Sequence, residues 1–259
     1  MAQIEVHPNT AHLNRAAAEH LVRLAQAAAA TQGSFAVALS GGSTPTGMYG
    51  LLATPEFADR ADWPRVHVFW GDERCVPPDH ADSNYRMACD SLLRHVPLAE
   101  ENIHRIPAEL EPEQAATRYE EVLRRFFTGD VPTRAKLGED MGPGLDLVLL
   151  GMGEDGHTAS LFPASQAIRK EKHWVVADYV AKLAAWRITL TPAVINAAAH
   201  VVFLVAGHSK SKMLQQVLKG PYQPDAVPAQ AVHPTSGQLL WLVDAEAGVL
   251  LSGSDGVNK

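Results

Sequence analysis

The feature that most constrains the fold is a short apolar run that breaks into a glycine-rich turn, in the stretch DLVLLGMGEDGHTASLFP at 146–163. The run from Leu145 to Leu150 has the length of a buried strand. Three glycines follow it, at Gly151, Gly153 and Gly156. Because glycine has no Cβ, such a turn lets a ligand approach the backbone closely. The pattern predicts a buried strand with a ligand site at its carboxyl end.

His157 lies just past this turn, two residues after Asp155. Open α/β sheets place their chemistry at the carboxyl ends of their strands, and histidine is the side chain best suited to move a proton near neutral pH. A lone histidine is more often structural than catalytic. The catalytic interpretation of His157 therefore depends on what other segments bring to the same edge.

A second run of this kind, Phe35–Leu39, leads directly into SGGSTPTG. Thr44 is expected as the N-cap of the following helix and Pro45 as its first residue. Backbone N–H groups and hydroxyls at such a helix start form a pocket for an anion. Its expected members are Gly41, Gly42, Ser43 and Thr44. An ordinary capped turn explains the pattern equally well, and a nucleoside triphosphate loop is disfavoured because no Gly-Lys-Ser/Thr follows.

Two further apolar runs end in charged residues. Val66–Trp70 leads into GDER, where Arg74 offers permanently protonated donors to a carbonyl or a phosphate; a solvated loop is the commoner explanation of such charges. Val201–Val205 leads into a predicted helix, Ser209–Leu218, with Lys210 in its first turn. The helix dipole disfavours a cation there by up to ~1 kcal/mol. A bound phosphate would reverse that sign, and the alternative is a lysine extended into solvent.

The rest of the chain alternates between helical and strand-like patterns. Helices are predicted at Ala11–Thr31, ending at Gly33, at Asn84–Arg94 with Ser83 as N-cap, at Glu111–Phe127 and at Thr191–Ala199. Strands are predicted at Ile103–Pro107, Trp174–Ala177, Trp186–Leu190 and Gln238–Val243. Residues 128–144 are expected to form a surface loop, because the alternation resumes directly after them. We therefore expect a single α/β domain over 1–259.

Charge and composition disfavour several classes of partner. The formal net charge of −7 gives no basic surface for nucleic acid, so an anion must be bound by a local positive site. Cys75 and Cys89 are too few for a disulfide framework and suit a reducing cytosol. No apolar run approaches the roughly 20 residues of a membrane span, and the first residues have no signal pattern. We expect a cytoplasmic protein without nucleic-acid or membrane partners.

Several familiar catalytic motifs do not occur in the sequence, and this disfavours the reaction types that depend on them. No GxSxG element occurs, which disfavours a covalent acyl-enzyme. No HExxH motif and no cysteine pair occur, so no metal site is expected. No dinucleotide cofactor is expected either. An anion pocket with Lys210, one arginine and one histidine together indicate a phosphorylated substrate and acid/base chemistry.

Six blocks of the sequence together resemble the 6-phosphogluconolactonase family. They are SGGSTP, VFWGDERCVPPDHADSNYRMA, GMGEDGHTASLFP, RITLTP, VFLVAGHSKSKM and LLWLVD, in family order from about residue 34 to 243. GDER and DGHTASLFP are highly specific together, whereas SGGSTP is also similar to a loop of the related glucosamine-6-phosphate deaminases. Those deaminases have a DEY-type block and an FNEP-type ending where this chain has GDER and SLFP.

The resemblance implies hydrolysis of 6-phospho-D-glucono-1,5-lactone to 6-phosphogluconate in the oxidative pentose phosphate pathway, without a cofactor. The implied partner is a small phosphorylated sugar lactone. The implied fold is a three-layer α/β/α arrangement with a mostly parallel, Rossmann-like sheet, as in the deaminases and ribose-5-phosphate isomerase. A monomer or a small homo-oligomer is expected.

The resemblance also suggests roles for the residues at the strand ends. His157 takes a proton from the attacking water, and Asp155 orients it unless it is only the aspartate of an Asp-Gly turn. Arg74 either stabilises the oxyanion or binds the phosphate, and the sequence leaves this choice open. Asp72 holds the Arg74 side chain in place. The expected phosphate-binding set is Gly41, Gly42, Ser43, Thr44, Lys210 and Arg187.

Two other functions remain open at this point. A glucosamine-6-phosphate deaminase or sugar-phosphate isomerase would use a similar site and would be recognised by release of ammonia. A non-catalytic sugar-phosphate sensor would need a DNA-binding appendage, and the segments before Phe35 and after Val243 are small and not basic.

Overall fold

Two β-sheets position the site in this computed structural model, which describes residues 2–128, 144–170 and 172–251. The strands, in chain order, are β1 (Gln3–His7), β2 (Phe35–Leu39), β3 (Val66–Trp70), β4 (Asp72–Arg74), β5 (Leu147–Gly151), β6 (Val175–Val180), β7 (Ala185–Leu190), β8 (His200–Val205) and β9 (Gln238–Asp244). The α-helices are α1 (Thr10–Gln32), α2 (Ser43–Leu52), α3 (Pro55–Ala58), α4 (Asn84–Ser91), α5 (Pro112–Thr128), α6 (Pro192–Asn196) and α7 (Ser211–Lys219).

The large sheet has the order β1-β9-β8-β5-β2-β3, and its neighbouring strands are all parallel. From β2 the chain moves to β3 on one side and then returns to β5 on the other, so the order reverses between β2 and β5. Ligands of open α/β sheets bind outside the carboxyl ends of the strands at such a reversal. The expected mostly parallel α/β fold is confirmed.

The central strands of this sheet are apolar along their length because both faces of the sheet are covered. Every residue of β2 is buried, as are Leu147 to Leu150 of β5, although successive side chains point to opposite faces. On β8 and β9, Phe203 stacks on Trp241 with 3.8 Å between ring centroids. This packing holds the carboxyl ends of β2, β5 and β8 side by side.

Local chemistry explains where the first helix begins and ends. The Asn9 side chain accepts a hydrogen bond from the His12 N–H at 3.1 Å and thereby caps α1. Gly33 ends the helix at φ 80°, a left-handed conformation that favours glycine. The predicted helix from Ala11 to Thr31 with a stop at Gly33 is confirmed to within one residue at each end.

The small sheet is antiparallel, with the order β4-β7-β6, and Gly71 connects its strand β4 to β3 of the large sheet. The Gly71 N–H donates to the Leu39 carbonyl and its own carbonyl accepts from the Leu190 N–H, both at 2.9 Å. The chain therefore leaves the large sheet after β3 and places Asp72–Arg74 in a strand beside the carboxyl edge. These residues form a strand rather than the solvated loop that was the commoner expectation.

Some predicted elements differ from the structure. Ile103–Pro107 is not a strand, because Ile103 forms one bridge with Val68 and proline has no N–H to extend a ladder. The helix predicted to reach Ala199 ends at Asn196. The edge strand β1 was not predicted, since its residues are polar or exposed. Residues 129–143 of the expected loop lie outside the described residues.

The hydrogen bond expected from Ser83 is present: its side chain accepts from the Arg86 N–H at 3.1 Å and caps α4. This helix ends at Ser91, and a 3₁₀ turn at Leu93–His95 completes the predicted segment.

Within the described ranges, no helix combines the length and the apolarity that crossing a membrane requires.

Candidate active site

A cavity of about 230 Å³ opens at the carboxyl ends of β2, β3, β5 and β8. Its lining residues come from the four segments that the sequence singled out and from α4. They are Ser40, Gly41, Gly42, Ser43, Thr44, Pro45, Asp72, Arg74, Asn84, Gly151, Met152, Gly153, His157, Ala159, Leu204 and Lys210. Of the predicted site residues, Asp155 and Arg187 are not in this lining, and each lies beside a residue that is.

The turn after β5 is built around the imidazole of His157. The Gly153 N–H donates to the His157 carbonyl at 2.8 Å, and a Cβ at position 153 would overlap the imidazole ring itself. Gly156 has φ 80°, which favours glycine. Gly151, Gly153 and Gly156 match the GxGxxG spacing of dinucleotide-binding turns, but no α-helix opens there in the described chain, so the structural context of that motif is lacking.

Asp155 and Lys182 form a chain of contacts behind His157. Asp155 Oδ1 lies 2.5 Å from His157 Nδ1, and Asp155 Oδ2 accepts from Lys182 Nζ at 2.9 Å. Burial disfavours the charged carboxylate, but the hydrogen bonds from Lys182 and His157 outweigh it and lower the pKa of Asp155 to about 2. The carboxylate is therefore ionised at neutral pH and accepts a hydrogen bond from Nδ1–H, which leaves Nε2 as the basic nitrogen.

The loop that follows His157 is tied to both sheets. Phe162 stacks on the imidazole with 4.2 Å between centroids. The Thr158 hydroxyl donates to the Gly151 carbonyl at 2.8 Å, and the Ser160 hydroxyl donates to Asp72 Oδ2 at 2.6 Å. These contacts limit the rotation of the ring, and they join the carboxyl end of β5 to β4.

The anion pocket at the start of α2 differs in detail from its prediction. The N-cap is Gly42 at φ 103°, not Thr44, and no side-chain capping bond is found there among the described residues. The positive φ of Gly42 starts the helix two residues earlier than expected, so Ser43 and Thr44 lie in its first turn. Backbone N–H groups of a first turn have no partner within the helix, and here they lie at the cavity.

Lys210 reaches the cavity from the other side of the strand reversal. It precedes α7, at the end of a 3₁₀ turn, and its ammonium donates to the Met152 carbonyl. Burial lowers the pKa of this ammonium, while Glu154 and Asp155 act in the opposite direction. Lys210 is therefore a partly buried cation directed at the β5 turn, not a lysine extended into solvent.

β4 presents a buried carboxylate that sequence reasoning did not assign. Glu73 accepts from the backbone N–H groups of Arg74, Asn84 and Tyr85, each at 2.8 Å, and from the Ser83 hydroxyl at 3.0 Å. Burial raises the pKa of Glu73, and these hydrogen bonds oppose the rise. Glu73 thereby fixes the start of α4 against β4.

Asp72 and Arg74 do not make the contact that we expected. Asp72 accepts from Ser160 and, at 3.4 Å, from the Asn84 amide, whereas Arg74 donates to the Asp82 carbonyl at 2.5 Å. No ion pair joins Asp72 to Arg74 in the part of the chain that the structure describes. The aspartate is instead the acceptor that links the loop after His157 to α4.

Arg187 lies on β7 directly opposite Arg74 on β4. Burial and then the neighbouring Arg74 charge lower the pKa of Arg187, and its Nη1 donates to the Trp186 carbonyl at 3.1 Å. Two guanidinium groups thus lie next to each other at the edge of the cavity, with Arg74 in the lining and Arg187 behind it.

Asn84 and Lys182 are the site residues that sequence reasoning missed. The Asn84 side chain packs so closely on Gly41 that a Cβ there would overlap it, which explains the first glycine of the anion pocket. Its position as the first residue of α4 was the available signal. Lys182 lies in the turn of a hairpin and has no sequence signal. Among the described residues, no cluster of three or more His, Cys, Asp or Glu is arranged to hold a metal ion.

Comparison with known proteins identifies the family. The family described as "Glucosamine-6-phosphate isomerases/6-phosphogluconolactonase" matches residues 8–241, nearly the whole chain. The chain belongs to this family. Within it, the chain is similar to the 6-phosphogluconolactonase of Nostoc sp., with 41% identity over 250 residues that cover 96% of this chain and 98% of the relative.

Solved structures agree with this placement. The structure of 6-phosphogluconolactonase from Trypanosoma cruzi matches with a TM-score of 0.82 and 30% identity over 97% of each chain. A monomeric glucosamine-6-phosphate deaminase matches with a TM-score of 0.78 over 96% of this chain and 99% of its own, but at 18% identity, which shows the fold alone. The resemblance expected from the six sequence blocks is confirmed.

Proposed function

We propose that this chain is a 6-phosphogluconolactonase, which hydrolyses 6-phospho-D-glucono-1,5-lactone to 6-phospho-D-gluconate in the oxidative pentose phosphate pathway. One observation carries the proposal: an ionised Asp155 holds the imidazole of His157 at the wall of a cavity that also contains Lys210 and the first turn of α2. A base and an anion receptor on one cavity suit a substrate with an ester at one end and a phosphate at the other.

His157 is the proposed general base. Asp155 accepts a hydrogen bond from Nδ1–H, so the free lone pair on Nε2 takes a proton from water as the water oxygen bonds to the lactone carbonyl carbon. The tetrahedral oxyanion collapses, the bond from that carbon to the ring oxygen breaks, and Nε2–H returns the proton to the ring oxygen. General acid/base catalysis of this kind supplies about 10² to 10⁴ in rate.

The phosphate set divides into two groups on opposite sides of the strand reversal. Gly41, Gly42, Ser43 and Thr44 offer backbone N–H groups and hydroxyls at a helix N-terminus. Lys210 offers a full positive charge, and phosphate relieves the cost of its burial. We assign the phosphate to this pair of elements.

Arg74 is the proposed oxyanion donor. It lies in the cavity lining on β4, and the Asp82 carbonyl fixes its guanidinium. Arg187 stands behind it and adds positive potential without lining the cavity. Loss of one such oxyanion donor typically costs about 10² to 10³ in kcat.

A coupled assay tests the proposal. Lactone hydrolysis is followed through 6-phosphogluconate dehydrogenase, with the non-phosphorylated lactone and glucosamine 6-phosphate as comparison substrates. We expect turnover of the phosphorylated lactone, poor turnover of the non-phosphorylated one and no ammonia release. His157→Ala should lower kcat by at least about 10² with a modest change in KM, and Lys210→Ala should mainly raise KM. Near-normal turnover in His157→Ala would remove it as the base, and an unchanged KM in Lys210→Ala would remove Lys210 from the phosphate set.

The remaining expectations belong to the same proposal. We propose a single domain over 1–259, present as a monomer or small homo-oligomer in the cytoplasm, with a phosphorylated sugar lactone as partner, no nucleic acid and no cofactor. Cys75 and Cys89 are free, which suits a reducing compartment.

A further inference from the structure

We infer that Lys182 is a positioning residue that holds the Asp155 carboxylate in place and sets the pH range in which His157 acts as a base. The inference rests on the proposed function of His157. Lys182 is 27 residues from Asp155 in the sequence and belongs to the small sheet, whereas Asp155 follows a strand of the large one. The contact therefore joins the catalytic turn to a separate structural element.

The hairpin that carries Lys182 is well defined. β6 and β7 pair over six residues each, and Tyr179 contacts Trp186 edge-to-face across the hairpin at 5.5 Å between centroids. The tip is a 3₁₀ turn, Ala181–Leu183, closed by Ala184 at φ 47°. A non-glycine residue in this left-handed region is uncommon, and it fixes the direction of the turn. Lys182 thus extends from the tip of this hairpin toward Asp155.

Each oxygen of Asp155 has its own partner, and this makes the lysine effective. Oδ1 accepts from His157 Nδ1, and Oδ2 accepts from Lys182 Nζ at 2.9 Å. Exposed lysine–carboxylate pairs contribute little on average, and the Lys182 side chain is 70% exposed. The Asp155 side chain, however, is only 24% exposed and is already bonded to the imidazole, so the lysine acts on a carboxylate with little freedom left.

Other charged groups lie near Asp155 or His157 and also affect the protonation of this pair. Lys210, before α7, interacts electrostatically with Asp155 and with Glu154, which lies in the same turn as Asp155. Asp72 and Arg74, from β4, line the same cavity as His157. Lys182 differs from these groups because it donates a direct hydrogen bond to Asp155 Oδ2, the oxygen that His157 Nδ1 does not contact.

The charge of Lys182 opposes protonation of the Asp155–His157 pair. Its removal should make the pair bind protons more tightly, so the acid limb of the pH profile of kcat/KM should move to higher pH. A unit charge acting over about 6 Å at an effective dielectric constant between 40 and 80 predicts a shift of about half a pH unit to one unit. KM should stay within about twofold of its original value, because Lys182 is not in the cavity lining.

The test compares Lys182→Met, Lys182→Arg and Lys212→Met. Lys212 is an exposed lysine on α7 and controls for the loss of one positive charge. We expect the acid limb to shift in Lys182→Met, to stay at its original position in Lys182→Arg, which keeps the charge, and to stay there in Lys212→Met. In 1 M salt, the difference between Lys182→Met and the unmodified protein should be smaller. An acid limb that coincides with that of the unmodified protein would overturn the inference. So would a tenfold rise in KM with an unchanged limb, which would make Lys182 a substrate-binding residue.

A measurement without substrate separates this inference from the proposed function. The Asp155 carboxyl carbon is titrated by NMR in the full chain and in Lys182→Met. We expect its midpoint to rise toward the ordinary aspartate range in the variant, whether or not the protein hydrolyses the lactone. An unchanged midpoint would refute the role of Lys182 even in an active lactonase.

Discussion

Replacement of Asp155 by asparagine is the sharpest test of the His157 site, because Lys182 dictates how the new amide must lie. Lysine has only donors, so it requires the amide oxygen in the place of Oδ2. The amide nitrogen then takes the place of Oδ1, 2.5 Å from His157 Nδ1, and donates to it. Nδ1 must now be the acceptor, which puts the proton on Nε2 and removes the base from the cavity.

The size of the effect follows from this inverted tautomer. A comparable histidine–aspartate pair loses about 10⁴ in kcat when it is inverted in this way, and we expect a loss between about 10² and 10⁴ with little change in KM. The cost to stability is small. Asp155 titrates at about 2 instead of the ordinary 3.8, so its stabilisation is present above pH 3.8 and is lost as the pH falls toward 2. That shift corresponds to about 2 kcal/mol, and to about 1 after solvent screening.

The assay is steady-state lactone hydrolysis at pH 7 with a melting curve for each variant. A loss of about 1 kcal/mol lowers Tm by about 2 to 4 °C in a domain of this size, so unfolding cannot account for the loss of activity. In Asp155→Asn with Lys182→Met, the amide is free to turn its oxygen toward Nδ1, and part of the activity should return. Near-normal kcat in Asp155→Asn would refute the role of Asp155, and a double variant no better than the single one would refute the argument that Lys182 fixes the amide.

Two further predictions concern groups that pack against their neighbours. Gly153→Ala places a Cβ on the imidazole of His157 and should lower kcat at least about tenfold through displacement of the ring. Gly50→Ala is the control, because a Cβ there meets open space, and it should leave kcat unchanged. Equal kcat values in the two variants would contradict this packing. Burial, and then the neighbouring His67, lower the pKa of His104 to about 4. As the pH falls below 6.5, the unfolded chain therefore binds this proton before the folded chain does, and the free energy of unfolding decreases. Urea unfolding at pH 7 and 5 should differ by about 2 kcal/mol from this residue, His104→Phe should lack that share, and an equal difference in both proteins would exclude it.

The strand ends could be predicted from the sequence because their signals are local. An apolar run followed by glycine marks a strand and its turn within about ten residues, and this placed Arg74, His157 and Lys210 at one edge of a sheet. The predicted cap at Thr44 was wrong for a local reason also. Gly42 adopts φ 103° and caps the helix, and the sequence does not distinguish that start from one two residues later.

Contacts between distant segments could not be predicted in this way. Ser160 bonds to Asp72 across 88 residues, and Lys182 bonds to Asp155 across 27 residues and two different sheets. The expected link from Asp72 to Arg74 failed because the sequence shows that the two residues are close in the chain and not that each has a nearer partner. Such partners depend on how the small sheet lies on the large one.

The placement of the cations supports the proposal that this edge of the sheet binds an anion. Arg74 and Arg187 lie directly opposite each other on antiparallel strands, where like charges are destabilising. Lys210 is partly buried before a helix N-terminus, where both desolvation and the dipole oppose its charge. Asp72 and Asp155 make their hydrogen bonds to other groups, namely Ser160, Asn84, His157 and Lys182. We propose that the positive charge of Lys210 and the two arginines binds a phosphorylated substrate, whose negative charge makes the arrangement favourable.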